Sequence, residues 1–167
     1  MMISMNFTFI HPGDDLSAIV HVLQVSHGTV AKEFGFTRET NPTNNAFRDA
    51  STLKNQLNKG IDLFALSVNS QLIGCIAIEK SKSTLDTFYI EKVSVVPEYR
   101  NQGYGVQLMD FALTKIKESG GKNASIALID SFTKLKNWYR SQGFIETGTK
   151  DFEQLPFRVC FMNKQLS

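Results

Sequence analysis

The stretch "SVVPEYRNQGYGVQLM", residues 94–109, carries signals for a strand, a loop and a helix in immediate succession. The apolar "SVV" ends at Pro97, and proline is rarely found in the middle of a central strand. Gly103 and Gly105 then precede apolar residues that recur at helical spacing. Two glycines at the start of a helix indicate either a tight turn or a ligand that contacts the exposed backbone.

An anion is the kind of ligand that suits such a loop. The first N–H groups of a helix have no acceptor within the helix, and the helix dipole places partial positive charge at the same end. Glycines let a phosphate approach these groups closely. The glycines alone do not separate a phosphate site from a tight turn, because a short glycine motif has low specificity. The dinucleotide-binding pattern G-x-G-x-x-G is excluded, since residue 108 is leucine, and the P-loop pattern is absent from the sequence as well.

The first half of the chain predicts a strand, two helices and a hairpin. "NFTFI" is the first predicted strand, and Asp14 or Asp15 is the predicted N-cap of the helix that follows. A second helix is predicted from about residue 49 to residue 59, ending at Gly60. The apolar runs "IDLFALSV" and "LIGCIAIE" flank a short polar turn and therefore predict a β-hairpin.

The second half continues with alternating strands and helices. "DTFYIEKVSVV" is a predicted strand, and a helix is predicted over 103–119, where Gly120 and Gly121 end it. "ASIALID" predicts a buried strand, "SFTKLKNWYRSQ" a helix with Ser131 as its N-cap, and "FIETG" and "FRVCFMN" the last two strands. The order β-α-α-β-β-β-α-β-α-β-β predicts a mixed α/β domain with helices on both faces of one sheet.

Composition narrows the class of protein. The 167 residues are 42% hydrophobic and 20% charged, which predicts one globular domain over 1–167. The net charge of +2 and the lack of a basic cluster argue against a nucleic-acid partner. No apolar run is long enough to span a membrane and the N-terminus does not resemble a signal peptide, so a cytoplasmic location is expected. Cys75 and Cys160 lie in apolar stretches and are predicted to be buried thiols, in preference to a disulfide or a metal pair.

Two motifs resemble those of a known family. The pattern R-x-x-G-x-G after "VSVVPEY" is similar to the pyrophosphate-binding motif of the GNAT acetyltransferase superfamily. "NWYRSQGF" resembles the second signature of that family, a helix with an aromatic residue and a tyrosine that ends in Gly-Phe. The predicted element order also matches the family along nearly the whole chain. The resemblance implies an N-acetyltransferase with a mixed, mostly antiparallel sheet of about seven strands and helices on both faces.

The resemblance also implies acetyl-CoA as cosubstrate and locates its site. In the family, one central strand splays away from its neighbour, and its free backbone pairs with the pantetheine arm. In this sequence that strand segment corresponds to Val93, Ser94 and Val95. The backbone expected to wrap the pyrophosphate comprises Arg100, Asn101, Gln102, Gly103, Tyr104, Gly105 and Val106.

Acetyl transfer to an amine requires a base, an oxyanion donor and an acid. A free alkylamine has a pKa of about 10.4 and must lose a proton before it attacks. By resemblance, Glu91 is the candidate base, acting through a water, and the Val95 amide is the oxyanion donor. Tyr139 is the candidate acid that protonates the departing thiolate. The alternatives are that Glu91 pairs with a cation such as Lys92 and that Tyr139 is a core residue.

One position departs from the family pattern. Other polar residues are predicted to have structural roles. Many relatives have asparagine seven residues before the tyrosine, where this chain has Phe132, so a polar contact with pantetheine is lost there. His27 lies on the apolar stripe of the first helix and is predicted to be packed and hydrogen-bonded. No metal-ligand spacing is present in the sequence, so no metal is expected.

The acceptor is left open. The segments expected to form its pocket are "FGFTRETNPTNNAF" and "GTKDFEQLPF", which mix aromatic and charged residues. A small amine, an aminoglycoside-like antibiotic, or the N-terminus or a lysine of a protein would each fit the chemistry, and a homodimer is an allowed assembly. A second class also stays open, in which the chain binds acetyl-CoA as a sensor or interaction module without turnover.

Overall fold

The computed structural model describes residues 2–167 as seven strands and four α-helices in the predicted order. The strands are β1 (Met5–Ile10), β2 (Asp62–Val68), β3 (Gln71–Lys80), β4 (Thr87–Val95), β5 (Asn123–Ile129), β6 (Ile145–Asp151) and β7 (Arg158–Gln165). The helices are α1 (Ser17–Phe34), α2 (Ala50–Asn58), α3 (Tyr104–Glu118) and α4 (Thr133–Ser141). The predicted domain 1–167 begins with residue 1, which lies outside the described residues. No helix in 2–167 is both long and apolar enough to cross a bilayer.

All seven strands form one sheet in the order β1-β2-β3-β4-β5-β7-β6. Only the neighbours β4 and β5 run parallel, and every other neighbouring pair in the sheet is antiparallel. This parallel pair is produced by the connection through α3, whereas the hairpins follow short turns. The mixed, mostly antiparallel sheet of seven strands is therefore confirmed.

Helices cover both faces of the sheet, as predicted. Cys75 on β3 is paired with Ser94 on β4, so the two side chains share a face, and Ser94 contacts His27 of α1 there. The adjacent residue, Gly74, faces the other way, and a Cβ placed on it would lie 3.4 Å from Leu108 of α3. We call these two sides the α1 face and the α3 face.

The predicted N-caps of α1 and α4 are wrong. Helix α1 begins at Ser17 with Leu16 at the cap position, and Phe132 holds that position in α4, in both cases without a side-chain cap hydrogen bond. Asp15 accepts from the Ser17 amide at 3.0 Å and Asp14 from the His11 amide at 2.8 Å. Asp14 thus binds an amide of the turn before the helix, and Asp15 binds the first amide of the helix from one position before the cap, local alternatives to capping that the sequence pattern does not distinguish.

Candidate active site

Strands β4 and β5 are paired at one end of β4 and separate beyond it. The parallel ladder comprises Thr87–Asn123, Phe88–Ala124 and Tyr89–Ser125, and it stops there although β4 continues to Val95. Backbone groups of β4 that point toward β5 past this position have lost their ladder partners. Unpaired backbone groups inside a sheet are costly unless another molecule binds them. The predicted splay is present, and it is bordered by Val93, Ser94 and Val95.

The loop after β4 presents a run of free amides. Within residues 2–167, none of the main-chain N–H groups of residues 101–106 has an acceptor, and the first amide of α3 to donate is that of Gln107, to the Gly103 carbonyl. Asn101 and Gly103 adopt left-handed conformations, with φ of 61° and 86°. The loop turns at these two residues into the start of α3, where the helix dipole adds positive potential. Successive free amides of this kind form an anion-binding concavity.

The Arg100 side chain anchors this loop to α1. Its Nε donates to the Val95 carbonyl at 3.2 Å, its Nη2 to the Ser26 carbonyl at 2.8 Å and its Nη1 to the Thr29 hydroxyl at 3.0 Å. Its own amide donates to the Pro97 carbonyl at 3.3 Å. Arg100 therefore positions the loop and adds positive charge near it, while the free amides begin at Asn101.

Tyr139 lies on α4, next to Trp138. It is 7% exposed and packs edge-to-face against Trp138 and Phe144. Its hydroxyl makes no hydrogen bond to any residue of 2–167, and burial raises the pKa of the phenol, so the group stays protonated and can donate. Trp138 packs on the loop, since a Cβ on Gly105 would lie 3.2 Å from its ring. Gly105 is thus needed for the contact that places α4 against the start of α3.

A bulge in β4 brings Glu91 and Ser94 to the same face of the sheet. Ala77 is paired with Glu91 and Cys75 with Ser94, so two steps along β3 correspond to three along β4. Lys92, with φ of 56°, takes up the extra residue. In a regular strand, residues three apart point to opposite faces. The sequence predicts a regular strand here, and no residue pattern in this segment marks the bulge.

Glu91 is a half-buried carboxylate without an ion-pair partner. Its Oε1 is buried and has no hydrogen bond to any residue of 2–167, and no cation in that range lies within 4.0 Å of the carboxylate. The alternative of a direct pair with Lys92 is not observed, because the Lys92 ammonium donates to Asn45 Oδ1 at 3.0 Å. Burial raises the pKa of Glu91, and the charges of Lys92 and Arg48 partly oppose that rise. A carboxylate with a free oxygen and a raised pKa is suited to accept a proton.

His27 is packed and hydrogen-bonded, as predicted. Its Nε2 lies 2.9 Å from the Ser94 hydroxyl, which itself donates to the Lys92 carbonyl at 3.0 Å. The serine oxygen therefore accepts from Nε2–H. Burial, together with the nearby charges of Lys92, Arg100 and Arg48, lowers the pKa of His27 to about 4. The imidazole is neutral near pH 7 and links α1 to β4.

An aromatic cluster joins the segments predicted to bound the acceptor pocket. Phe132 at the start of α4 lies 5.2 Å from Phe34 at the end of α1, measured between ring centroids. Phe34 stacks on Phe36 at 5.8 Å, and Phe36 lies 5.1 Å from Phe157 in the β6–β7 connection. The aromatic side chain at position 132 is thus used to pack α4 against α1, in place of a polar contact.

A second polar cluster contains its own cations. Within 2–167, Asp130, Glu146 and Cys160 form the one group whose side chains could together ligate a metal ion. The Lys136 ammonium lies 2.7 Å from Asp130 and 3.2 Å from Glu146, and Arg140 also pairs with Glu146. These cations neutralise the carboxylates, so we assign the cluster to the packing of α4 on β6 and β7. Cys160 and Cys75 are both buried free thiols, as predicted.

Comparisons with known proteins identify the family. A family model described as an acetyltransferase (GNAT) domain matches residues 32–166. The chain therefore belongs to the GNAT acetyltransferase family and is an acyltransferase by that membership. Comparison with curated protein sequences finds no match.

Solved structures share the fold over almost the whole chain. The ribosomal-protein-S18-alanine N-acetyltransferase of Escherichia coli matches at 17% identity and a TM-score of 0.74, over 98% of this chain and 95% of that one. The PaiA N-acetyltransferase of Thermoplasma acidophilum, in complex with coenzyme A, matches at 17% identity and a TM-score of 0.76, over 98% of this chain and 99% of that one. A GNAT family acetyltransferase of Elizabethkingia anophelis with acetyl-CoA bound matches at 17% identity and a TM-score of 0.69, over 97% of this chain and 98% of that one. At these identities the likeness shows the fold alone.

Proposed function

We propose that the chain transfers an acetyl group from acetyl-CoA to a primary amine by direct attack within a ternary complex. The observation that carries the proposal is the continuous path from the open edge of β4 to the free amides of residues 101–106. An extended arm with amide groups suits the unpaired strand edge, and a pyrophosphate suits the amides at the start of α3. Pantetheine joined to a pyrophosphate has both parts in this order.

Three groups are proposed to carry out the chemistry. Glu91 removes a proton from the acceptor ammonium, through a water, because its buried Oε1 is free to accept one. The main-chain amide of Val95 donates to the oxyanion of the tetrahedral intermediate. Tyr139, held protonated by burial, donates its proton to the coenzyme A thiolate as the carbon–sulfur bond breaks.

The aromatic cluster favours a small amine as the acceptor. The contact between Phe36 and Phe157 connects the α1–α2 segment with the β6–β7 connection, the two segments expected to flank the acceptor. A polypeptide acceptor would need an open groove between them, whereas a small molecule suits a pocket that is closed on this side. The half-buried rings also favour an amine that carries an apolar or flat body.

Release of coenzyme A thiol, measured across a panel of small amines and peptides, tests this function. We expect turnover with one or more small amines and none with peptides. Turnover with peptides alone would show that the acceptor is a protein. Binding of acetyl-CoA without thiol release on any acceptor would support the sensor function instead.

Substitution of Gly103 by alanine is expected to weaken acetyl-CoA binding tenfold or more, about 1.4 kcal/mol. The methyl group would point into the loop that is proposed to receive the pyrophosphate. Gly120 is a matched control, because both glycines have φ of 86° and neither would bring a Cβ within 4 Å of another residue of 2–167. Both alanine variants should lose about 1 kcal/mol of stability through left-handed strain. Calorimetric titration should separate them, and equal acetyl-CoA affinities would exclude this loop as the binding site.

A further inference from the structure

Lys92 is a buried lysine in the middle of the sheet, and the reaction as proposed above does not use it. The residue is 5% exposed and has φ of 56°, an uncommon conformation for a residue with a long side chain. A buried ammonium needs partners to offset the loss of hydration, and a left-handed lysine adds backbone strain. The two costs fall on one residue, next to the candidate base.

The ammonium of Lys92 is tethered by the segment between α1 and α2. Its Nζ donates to Asn45 Oδ1 at 3.0 Å, and the same oxygen accepts from Nε and Nη2 of Arg48, both at 3.3 Å. Arg48 is held in turn, since its Nη2 donates to the Thr43 carbonyl at 2.6 Å and its own carbonyl accepts from Gln24 of α1 at 2.7 Å. Lys92 and Arg48 therefore form a pair of cations fixed around one amide oxygen.

The main chain of Lys92 is also fixed, and this sets the bulge. Its carbonyl accepts from the Ser94 hydroxyl at 3.0 Å and from the Cys75 thiol at 3.5 Å. Because of this bulge, the side chains of Glu91 and Ser94 both point to the α1 face. The same residue therefore sets the direction of Glu91 and places a positive charge beside it.

We propose that Lys92, tethered by Asn45, is a positioning residue for acetyl transfer that keeps Glu91 ionised and directed to the α1 face. The proposal rests on the assignment of Glu91 as the base. The positive charge of Lys92, the next residue in the chain, favours the ionised form of Glu91. The ammonium does not bind the carboxylate directly, since no cation within 2–167 lies within 4.0 Å of Glu91. A direct ion pair would occupy the oxygen that has to accept the proton, whereas a tethered charge leaves Oε1 free.

The charged groups around Glu91 define the electrostatic balance. Burial favours the neutral acid, and Glu79, on the neighbouring strand β3, acts in the same direction. Lys92 and Arg48 favour the carboxylate. His27 of α1 is neutral near pH 7 and adds no charge. Without the charge of Lys92, only Arg48 would oppose the effects of burial and Glu79, so the pKa of Glu91 should rise.

The test compares Lys92→Asn with the wild type. Asparagine tolerates the left-handed conformation, so the bulge can persist while the charge is removed. We expect the carbon NMR titration of the Glu91 carboxyl group to move to higher pH. We also expect kcat/KM at pH 7 to fall, with recovery at higher pH, because less of Glu91 is ionised at pH 7 when its pKa rises, and the fall reaches about tenfold when that pKa lies one unit above the assay pH. Lys92→Arg should preserve both, and Lys82→Asn, which removes an exposed lysine, should match the wild type.

An unchanged Glu91 titration in folded Lys92→Asn would overturn the proposal. If that variant does not fold, Asn45→Asp takes its place: the added negative charge offsets the positive charge of Lys92 and Arg48 at Glu91 without altering the strand, and an unchanged Glu91 titration would again overturn the proposal. The titration does not depend on turnover. If the wild type transfers no acetyl group, the proposed function fails, while the coupling between Lys92 and Glu91 is still measured.

Discussion

Glu91→Gln is expected to lower kcat/KM on the order of 10²-fold, the lower end of the range for loss of a positioned base. Glutamine keeps the size and hydrogen-bonding shape of the side chain but cannot accept the proton. The remaining activity should depend on the fraction of acceptor that is already neutral, so it should rise with pH up to the pKa of the amine, about 10.4 for a free alkylamine. The measurement is the pH profile of kcat/KM with an acceptor found in the thiol-release panel.

The same substitution should increase stability at neutral pH. The folded-state pKa of Glu91 is raised above its unfolded value, so the folded state binds the proton more tightly. Stability therefore falls as the pH rises from the unfolded pKa through the folded one, and the ionised carboxylate remains a cost above that interval. Glutamine removes the charge and with it this cost. A residue that raises the rate while it lowers stability has the behaviour expected of an active-site group.

A structural carboxylate would give the opposite pair of results. Glu91→Gln would then lower the free energy of unfolding and leave the pH profile intact, and that outcome would remove Glu91 from the mechanism. Glu118→Gln, at the exposed end of α3, is the matched control for loss of one negative charge. It should change neither the rate nor the stability beyond about 0.5 kcal/mol.

Tyr139→Phe is expected to lower kcat on the order of 10²-fold, equivalent to about 2.7 kcal/mol of transition-state free energy. The substitution keeps the ring that packs between Trp138 and Phe144 and removes only the hydroxyl. Because that hydroxyl has no hydrogen bond within 2–167, folding should change little, by less than about 1 kcal/mol. Acetyl-CoA affinity should also be nearly unchanged, since the loop amides are not altered.

Steady-state kinetics with a saturating acceptor measure this effect on kcat. Tyr89→Phe serves as the control, because Tyr89 is a partly exposed tyrosine of β4 whose hydroxyl lies 3.2 Å from that of Ser81. Full activity in Tyr139→Phe would assign Tyr139 to the core alone. A loss that disappears with a coenzyme of more acidic thiol would support the proton-donor role, since a better leaving group needs less help.

The order of strands and helices could be predicted from local sequence patterns, whereas the residues at which the helices start could not. Hydrophobic periodicity over a few residues separates strands from helices, and the glycines at 60, 120 and 143 correctly marked the ends of three helices. The N-caps predicted at Asp14, Asp15 and Ser131 were wrong, because Leu16 and Phe132 hold the cap positions and the two aspartates accept from other amides, those of His11 and Ser17. Several short polar residues stand before each helix, and the sequence pattern does not say at which of them the helix starts.

The phosphate-type loop was readable from the sequence because all of its features lie within a few residues: two glycines, a preceding strand and a following helix. The contacts that assemble the rest of the site join distant parts of the chain. Lys92 and Asn45 are 47 residues apart, His27 and Ser94 are 67 apart, and the Arg100 contact with Ser26 spans 74. The bulge at Lys92 is set by hydrogen bonds to its carbonyl and by the register with β3. Local propensity specifies strand and helix, whereas charges and hydrogen bonds at such separations act only after the sheet and α1 have packed together.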